Sequence, residues 1–339
     1  MQHPCRVVLP ASVVTRLREH WARPQIQSFT PFDSISPDHG TVAAQVTSKT
    51  FRGVAIVDLR TGSNRRVIER FASSQEQAGG VYDGDAAVYK VYRSPADMGD
   101  SSVKLWRRST GSVTTVGVRH RDQRGRTLDE NWDDPVMGDG RAAWVETLDG
   151  NGLGQIVTLD LESGRRAIVR RGHPGSISII GHLLVWSESP SPDAVTVVRA
   201  IDLDTGRPAT VPSGLRIARG GYGFRSDGAA AAWIGSDSTA VYVAPTLAGR
   251  AVRIMKFAVG GFSPPVAMSS GLVAVPISQG GLLVVDARTL HYAVLKDGSF
   301  ASVDGDSLLV TPMGRSKTAP LADPAPLTAA DLAGLRCGS

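Results

Sequence analysis

The sequence has no apolar stretch near the ~20 residues that a membrane-crossing helix needs, which excludes a helical membrane protein. It has only two cysteines, Cys5 and Cys337, too few for a disulfide-framed fold or for a cysteine cluster around a structural metal. Neither a G-x-S-x-G nucleophile elbow, an H-E-x-x-H zinc motif nor a phosphate-binding P-loop occurs. Residues 1 to 20 hold Pro4, Arg6, Pro10, Arg16, Arg18 and Glu19, which leaves no apolar core for a signal peptide. As it stands the chain is expected in the cytoplasm; had a leader been removed ahead of it, the protein would be extracytoplasmic. Aromatic residues are sparse, at 6%, and charged residues reach only 20%.

What is abundant is glycine and proline, 37 and 20 in 339 residues, beside a 42% apolar fraction large enough for a continuous core. That balance suits a turn-rich, all-β protein. The net charge of +5 is spread among the repeats described below, and the densest basic run, Arg119, Arg121, Arg124 and Arg126, has no interleaved aromatics. Nucleic acid is therefore a disfavoured partner, and a solvated loop is the simpler reading of that run.

A nine-residue phrase is written six times, as VAIVDLRTG (54–62), VKLWRRSTG (103–111), IVTLDLESG (156–164), VRAIDLDTG (198–206), VYVAPTLAG (241–249) and LLVVDARTL (282–290). Each is a short apolar strand running into a turn. Successive copies start 41 to 53 residues apart, the spacing of propeller blades, whose four-stranded sheets cannot bury their faces without neighbours. A second phrase, a turn with Asp and Gly followed by a small-apolar strand, precedes the first. Its seven copies are anchored at Gly40, Gly84, Gly140, Gly181, Gly228, Gly271 and Gly305. Asp-Gly turns supply the positive φ of tight hairpins, and Ala and Gly fit narrow inner strands.

Seven inner hairpins against six third-strand phrases leave one blade incomplete. The expected fold is thus a single all-β propeller of seven four-stranded blades, with six as the alternative, its ring closed by an N-terminal strand over Arg6 to Leu9 beside the last blade. Residues 1–28 would form the closure strand and a short helix capped by Ser12, 29–312 the blades, and 313–339 a tail. Thr328 and Asp331 make a capping-box pattern before a short helix in that tail. In a closed ring the chain ends meet, so Cys5 and Cys337 are either a ring-closing disulfide, contributing about 4 to 5 kcal/mol on the chain-entropy account, or two separate thiols.

Ser36-Pro37-Asp38 and Ser226-Asp227-Gly228, with Asp58-Leu59-Arg60-Thr61-Gly62 and Asp202-Leu203-Asp204-Thr205-Gly206, resemble the SPDG and DLxTG repeat of TolB-like propellers, which are similar in turn to WD40-like repeats. The resemblance covers about residues 29 to 312 and implies the architecture. Such blades occur in binding proteins, peptidase accessory domains and enzymes, so function has to be sought in a site.

On such a scaffold the loops leading into the first strands and those joining second to third strands share one face. There, Trp132, Asp133 and Asp134 set an aromatic plate beside carboxylates, and Glu146, with Asp149 and Asn151, follows in the same repeat. Asp149 and Asn151 hint at a calcium loop that lacks the later acidic ligand; no other cofactor is expected. His173, Glu188 and Tyr222 lie in the next two repeats. Packing between blades or capping of turns explains each of these residues equally simply. The leading expectation is a monomeric propeller that binds a small molecule or peptide in its top-face funnel, through Trp132, Asp133, Glu146, Glu188 and Tyr222. The alternatives are a non-redox enzyme, a lyase, cyclase or hydrolase with Asp134 and His173 as acid-base groups, and a protein-interaction scaffold.

Overall fold

A computed structural model of the chain describes residues 3–23, 27–35, 38–94, 97–117, 128, 134–149, 152–189, 196–215, 222–235, 240–256, 266–277, 281–312, 324–332, 335 and 337. Two compact units divide the chain, one of residues 29–209 and one of residues 1–28 with 210–339.

The chain opens with strand β1 (Cys5–Arg6) and helix α1 (Ala11–Trp21). The 29–209 unit follows with β2 (Ser28–Pro31), β3 (Asp33–Ser34), β4 (Thr41–Thr47), β5 (Arg52–Asp58) and β6 (Asn64–Arg70). Next come β7 (Gln77–Tyr82), β8 (Ala86–Ser94), β9 (Asp97–Arg107) and β10 (Val113–Thr115), then β11 (Val136–Gly138), β12 (Arg141–Thr147), β13 (Gly154–Asp160) and β14 (Arg166–Gly172). It ends with β15 (Pro174–Ile180), β16 (Leu183–Glu188) and β17 (Val197–Asp202). These strands build antiparallel sheets in the orders β2-β4-β5-β6, β10-β9-β8-β7, β11-β12-β13-β14 and β15-β16-β17, with β3 added in parallel to β7.

The other unit contains β18 (Tyr222–Ser226), β19 (Ala231–Ile234), β20 (Ala240–Ala244) and β21 (Val252–Lys256) as one sheet. A second holds β22 (Ala267–Ser269), β23 (Leu272–Pro276), β24 (Leu282–Asp286) and β25 (His291–Leu295), and a third β26 (Gly298–Asp304), β27 (Ser307–Pro312) and β28 (Ala325–Leu327). Helix α2 (Ala329–Leu332) follows. Val13 and Leu17, one turn apart on α1, enter the same apolar cluster as Leu282, Val284, Leu308 and Leu327. The Trp21 Nε1–H donates to the Val310 carbonyl at 3.1 Å.

Every small-apolar phrase is a second strand (β4, β8, β12, β16, β19, β23, β27), and the nine-residue phrases supply third strands such as β5, β13 and β24. The second strands bury both faces. Ala43, Ala44, Ala87, Ala142, Ala143, Ala231 and Ala232 are fully inaccessible, small side chains that leave room for large buried neighbours such as Tyr89, Trp144 and Trp233 on the same strands.

Three expectations are corrected. Among the described residues five sheets reach four or more strands, so there are five such blades, not seven or six. The hairpins at β15-β16 and β26-β27 stop at three strands. After β17 the chain turns back through an isolated bridge from Pro208 to Ile201, with the Ala209 amide donating to the Ala200 carbonyl at 3.0 Å, and Pro208 and Pro212 lack the N–H groups that would extend a ladder. Second, the N-terminal strand is Cys5–Arg6 and pairs in parallel with β25, one sheet before the last. The strand missing from the last sheet is β28, from the segment read as a tail. Third, α1 begins at Ala11 after Pro10, so Ser12 lies inside its first turn and does not cap it. The Thr328–Asp331 box is present: the Thr328 N–H donates to Asp331 Oδ2 at 2.8 Å.

The hairpins after the third strands share one chemistry. The Asp58 carboxylate accepts the Arg60 and Thr61 amides at 2.9 and 3.0 Å, and Asp160 and Asp202 accept those of Ser163 and Thr205 at 2.7 and 2.8 Å. The turns close on left-handed glycines, Gly62, Gly111, Gly164 and Gly206; at Leu290, the one non-glycine among them, φ is 61° and the side chain is fully buried. The Ser163 amide and hydroxyl hold Asp160 below the usual carboxylate range, and the Thr205 amide does the same for Asp202.

Two outcomes follow for stability. A Cβ at Gly164 (φ 72°) or Gly206 (φ 67°) meets nothing within 4 Å, so Gly164→Ala and Gly206→Ala should each cost about 1 kcal/mol of pure backbone strain, read as a lowered urea midpoint. Because the folded pKa values of Asp160 and Asp202 are depressed, their contribution is complete above the unfolded carboxylate value, about 3.9, and is lost as the pH falls through the lower folded values. Urea midpoints of Asp160→Asn and Asp202→Asn should therefore fall less steeply from pH 5 to pH 2 than those of the wild type.

Candidate functional site

Glu146 and Glu188 end the second strands β12 and β16, in sheets adjoining along the chain, and both are buried, at 2% and 3% exposure. A carboxylate so placed must be matched by donors. Glu146 Oε1 accepts the Trp144 indole N–H at 3.0 Å, while Oε2 accepts Gln155 Nε2 at 2.8 Å and Arg166 Nη2 at 2.7 Å. Glu188 Oε1 accepts Arg170 Nε and Nη2 at 2.9 and 2.7 Å, and its Oε2 is ion-paired with Arg199. Arg166 and Arg170 come from β14, so the Arg170 pair fastens the β11–β14 sheet to the next one. Gly172 makes room for it: a Cβ there would stand 2.6 Å from Glu188 Oε1.

His173 connects these two sheets. It lies between β14 and β15, is part-exposed, and its carbonyl accepts the Ser189 amide at 3.1 Å. Pro174 pairs with Glu188 across β15 and β16, and its ring borders Gly154, whose strand neighbour Gln155 opposes Glu146. Glu146 on β12, His173 between β14 and β15, and Glu188 on β16 thus belong to two sheets that the Arg170–Glu188 pair joins. Among the described residues the His173 ring makes no hydrogen bond, and the exposed Arg171, two residues earlier, uses only its Nε, toward Gln155 Oε1 at 3.3 Å.

Asp134 sits elsewhere in the same unit. It precedes β11, is part-exposed, and its carboxylate lies where a Cβ of Gly79 would be. Gly79 opposes Lys90 in the β7–β8 ladder, which puts the Lys90 side chain on that same face. Lys90 is 1% exposed, with its Nζ 5.4 Å from the centroid of the Tyr92 ring. Nearby in sequence, the Tyr89 hydroxyl donates to Glu69 Oε2 at 2.8 Å, and Lys104 pairs with Glu69 Oε1. Burial, reinforced by the Glu69 charge, pushes Tyr89 far above the usual phenol range.

Trp132, Asp133 and Asn151 lie outside the described residues, as does the side chain of Tyr222, whose backbone begins β18. Asp149 Oδ1 accepts the Leu153 amide at 2.9 Å, the role of a turn-capping aspartate. The sequence reading missed Lys90, Gln155, Arg166, Arg170 and Arg199. A signal was present in the RRAIVRR pattern of 165–171, arginine pairs flanking an apolar centre. At the opposite end of the same sheets, a cavity of about 660 Å³ is lined by Asp83, Arg107, Arg108, Arg141, Asp160 and Glu162, among others.

No protein-family model and no curated protein matches the chain. Solved structures do. An oligogalacturonate lyase in complex with manganese is 12% identical over 91% of this chain and 92% of its own, with a TM-score of 0.58. The oligogalacturonate lyase of Vibrio parahaemolyticus is 11% identical over 89% of this chain and 92% of its own, with a TM-score of 0.54. TolB of Acinetobacter baumannii, at 12% identity and a TM-score of 0.49, is covered over 65% of its length by 82% of this chain. The fold is an all-β propeller, and at these identities the likeness is one of fold alone.

Removing one partner of a buried carboxylate leaves its charge uncompensated, and Glu188 depends on Arg170 for both bonds to Oε1. Arg170→Ala should destabilise the protein by about 2 kcal/mol, at the low end because Arg199 remains, and adding Glu188→Gln should recover part of the loss. Equal urea midpoints for the wild type and Arg170→Ala would show the pair to be energetically idle.

Proposed function

We propose that the protein is a ligand-binding propeller, which holds a small molecule or peptide bearing an anionic group beside His173 and Arg171 in the 29–209 unit. The observation that carries the reading is a division among the ionisable groups. Glu146 is buried and bonded to Trp144, Gln155 and Arg166, and Glu188 is buried and paired with Arg170 and Arg199, so both carboxylates are engaged within the scaffold. His173 keeps an unengaged ring and Arg171 keeps spare guanidinium N–H groups, the complement of a carboxylate or phosphate. A scaffold reading has less support, since the exposed large apolar residues among the described ones, Val8, Ile35, Val67 and Ile168, are scattered over separate elements.

A lyase is the second reading. The free imidazole favours it, as a group able to take a proton, and two of the similar folds belong to oligogalacturonate lyases.

One experiment addresses both. Thermal shift is measured with galacturonate oligosaccharides and with glutamate-rich peptides, on the wild type, His173→Ala and Arg171→Ala. Binding predicts a shift with one probe that either variant reduces at least ten-fold in affinity, with unliganded melting temperatures unchanged within about 2 °C, as expected for side chains outside the core. No shift with either probe, or one retained in full by both variants, overturns the proposal. Formation of unsaturated sugar ends on incubation with the oligosaccharide, lost in His173→Ala, would replace binding by the lyase reading.

A further inference from the structure

We infer that Cys5, His291 and Cys337 form a binding site for zinc or a similar soft divalent cation in the reduced protein, which the Cys5–Cys337 disulfide replaces on oxidation. The two cysteines are disulfide-bonded, with Cα atoms 5.7 Å apart. One ligand atom from each of the three residues falls within 4.8 Å of the others, and among the described residues this is the one such group of His, Cys, Asp or Glu. Cys337 Sγ lies 3.4 Å from His291 Nε2. In a tetrahedral zinc site, with Zn–S about 2.3 Å and Zn–N about 2.0–2.1 Å, the S···N edge is about 3.6 Å. The imidazole thus already stands where a co-ligand would.

Contacts other than the sulfur–sulfur bond hold Cys5 beside His291 and anchor the segment that leads to Cys337. Cys5 opposes His291 in the parallel β1–β25 pair, with the Cys5 amide donating to the Leu290 carbonyl at 3.2 Å and the Val7 amide to that of Tyr292 at 2.8 Å. The buried, left-handed Leu290 sets the direction in which β25 begins. The C-terminal segment is tied to α1 by Arg16, which donates to the Pro326 carbonyl at 3.1 Å and to Asp331 at 2.7 Å. Reduction would therefore free two thiols while Cys5 and His291 stay paired and Cys337 remains six residues from the anchored Asp331. With a phosphine reductant the balance is one disulfide, one phosphine and one water giving two thiols and a phosphine oxide. Zinc then binds both thiolates and the neutral imidazole and releases the two thiol protons. Thiolate and imidazole donors select zinc over calcium or magnesium, and three protein ligands leave one position for water.

The test uses the full chain, reduced with a phosphine and dialysed against equimolar zinc, or cobalt as a spectroscopic probe. One metal per chain is expected in reduced protein and none in oxidised protein, with a thiolate-to-cobalt charge-transfer band. His291→Ala should bind at least ten-fold more weakly. Reduced protein alkylated at both cysteines serves as the blocked control, so that failure of a Cys→Ser variant to fold leaves the question decidable. Reduced protein that takes up no more metal than the alkylated form, or that binds cobalt without the charge-transfer band, overturns the site. Undiminished binding by His291→Ala overturns the three-ligand assignment.

Discussion

The structure depends on sheets that are covered on both faces. A second strand such as β12 buries six of its seven residues, which removes the option of one wet face and forces small side chains, Ala142 and Ala143, beside one large one, Trp144. The same rule shapes β4, β8 and β19. It also explains why any polar group on these strands is demanding: once Glu146 or Glu188 is placed there, solvent cannot satisfy it, and neighbouring strands must. The arginines of β14 meet that demand while standing on a strand whose own residues are largely exposed, so one long side chain spans from the wet edge to the dry centre. Outer strands therefore do more than cap a ladder; they neutralise the inner ones.

Much of this was legible and some was not, for reasons that lie in the residues. Strand phrases with Asp-Gly or Asp-Leu-x-Thr-Gly turns specify local backbone directly, through left-handed glycines and aspartates that accept the next amides, and such short-range chemistry survives any arrangement of the rest. β13 and its turn at Gly164 follow that logic. Strand partners set at long range do not. Nothing near Cys5 announces that it will lie parallel to His291, and Ala325–Leu327, a three-residue segment with a proline, has no alternation by which to be recognised as a third strand. Blade completeness fails for a related reason: a phrase marks a hairpin, whereas a fourth strand needs free amides, which the prolines after β17 withhold.

The site was half legible. Loop position drew attention to Glu146, His173 and Glu188, which lie on two sheets that the Arg170–Glu188 pair joins. What position could not show is protonation economy. An acidic residue at a strand end looks the same in sequence whether it faces solvent or is enclosed by arginines eighteen to twenty positions away, as Arg170 and Arg166 are from their partners. The informative pattern was the paired arginines of 165–171, which read as solvated charge until their carboxylates are known.

This economy bears on where function can reside. A buried carboxylate with three donors or two arginines is tied to its neighbours, so freeing it for another role would require breaking bonds, which at Glu188 fasten one sheet to the next. Chemistry or recognition is then left to groups whose hydrogen-bonding capacity the scaffold has not consumed. Among the described residues of the 29–209 unit, the His173 ring and the remaining N–H groups of Arg171 are of this kind, on the segment that joins β14 to β15. β14 and β15 flank His173 on both sides, and the Arg170–Glu188 pair ties the strand before it to the sheet after it. A propeller can in this way keep its loops short, place a small number of unspent donors on stiff supports, and leave the identity of the ligand to the groups that the core does not need.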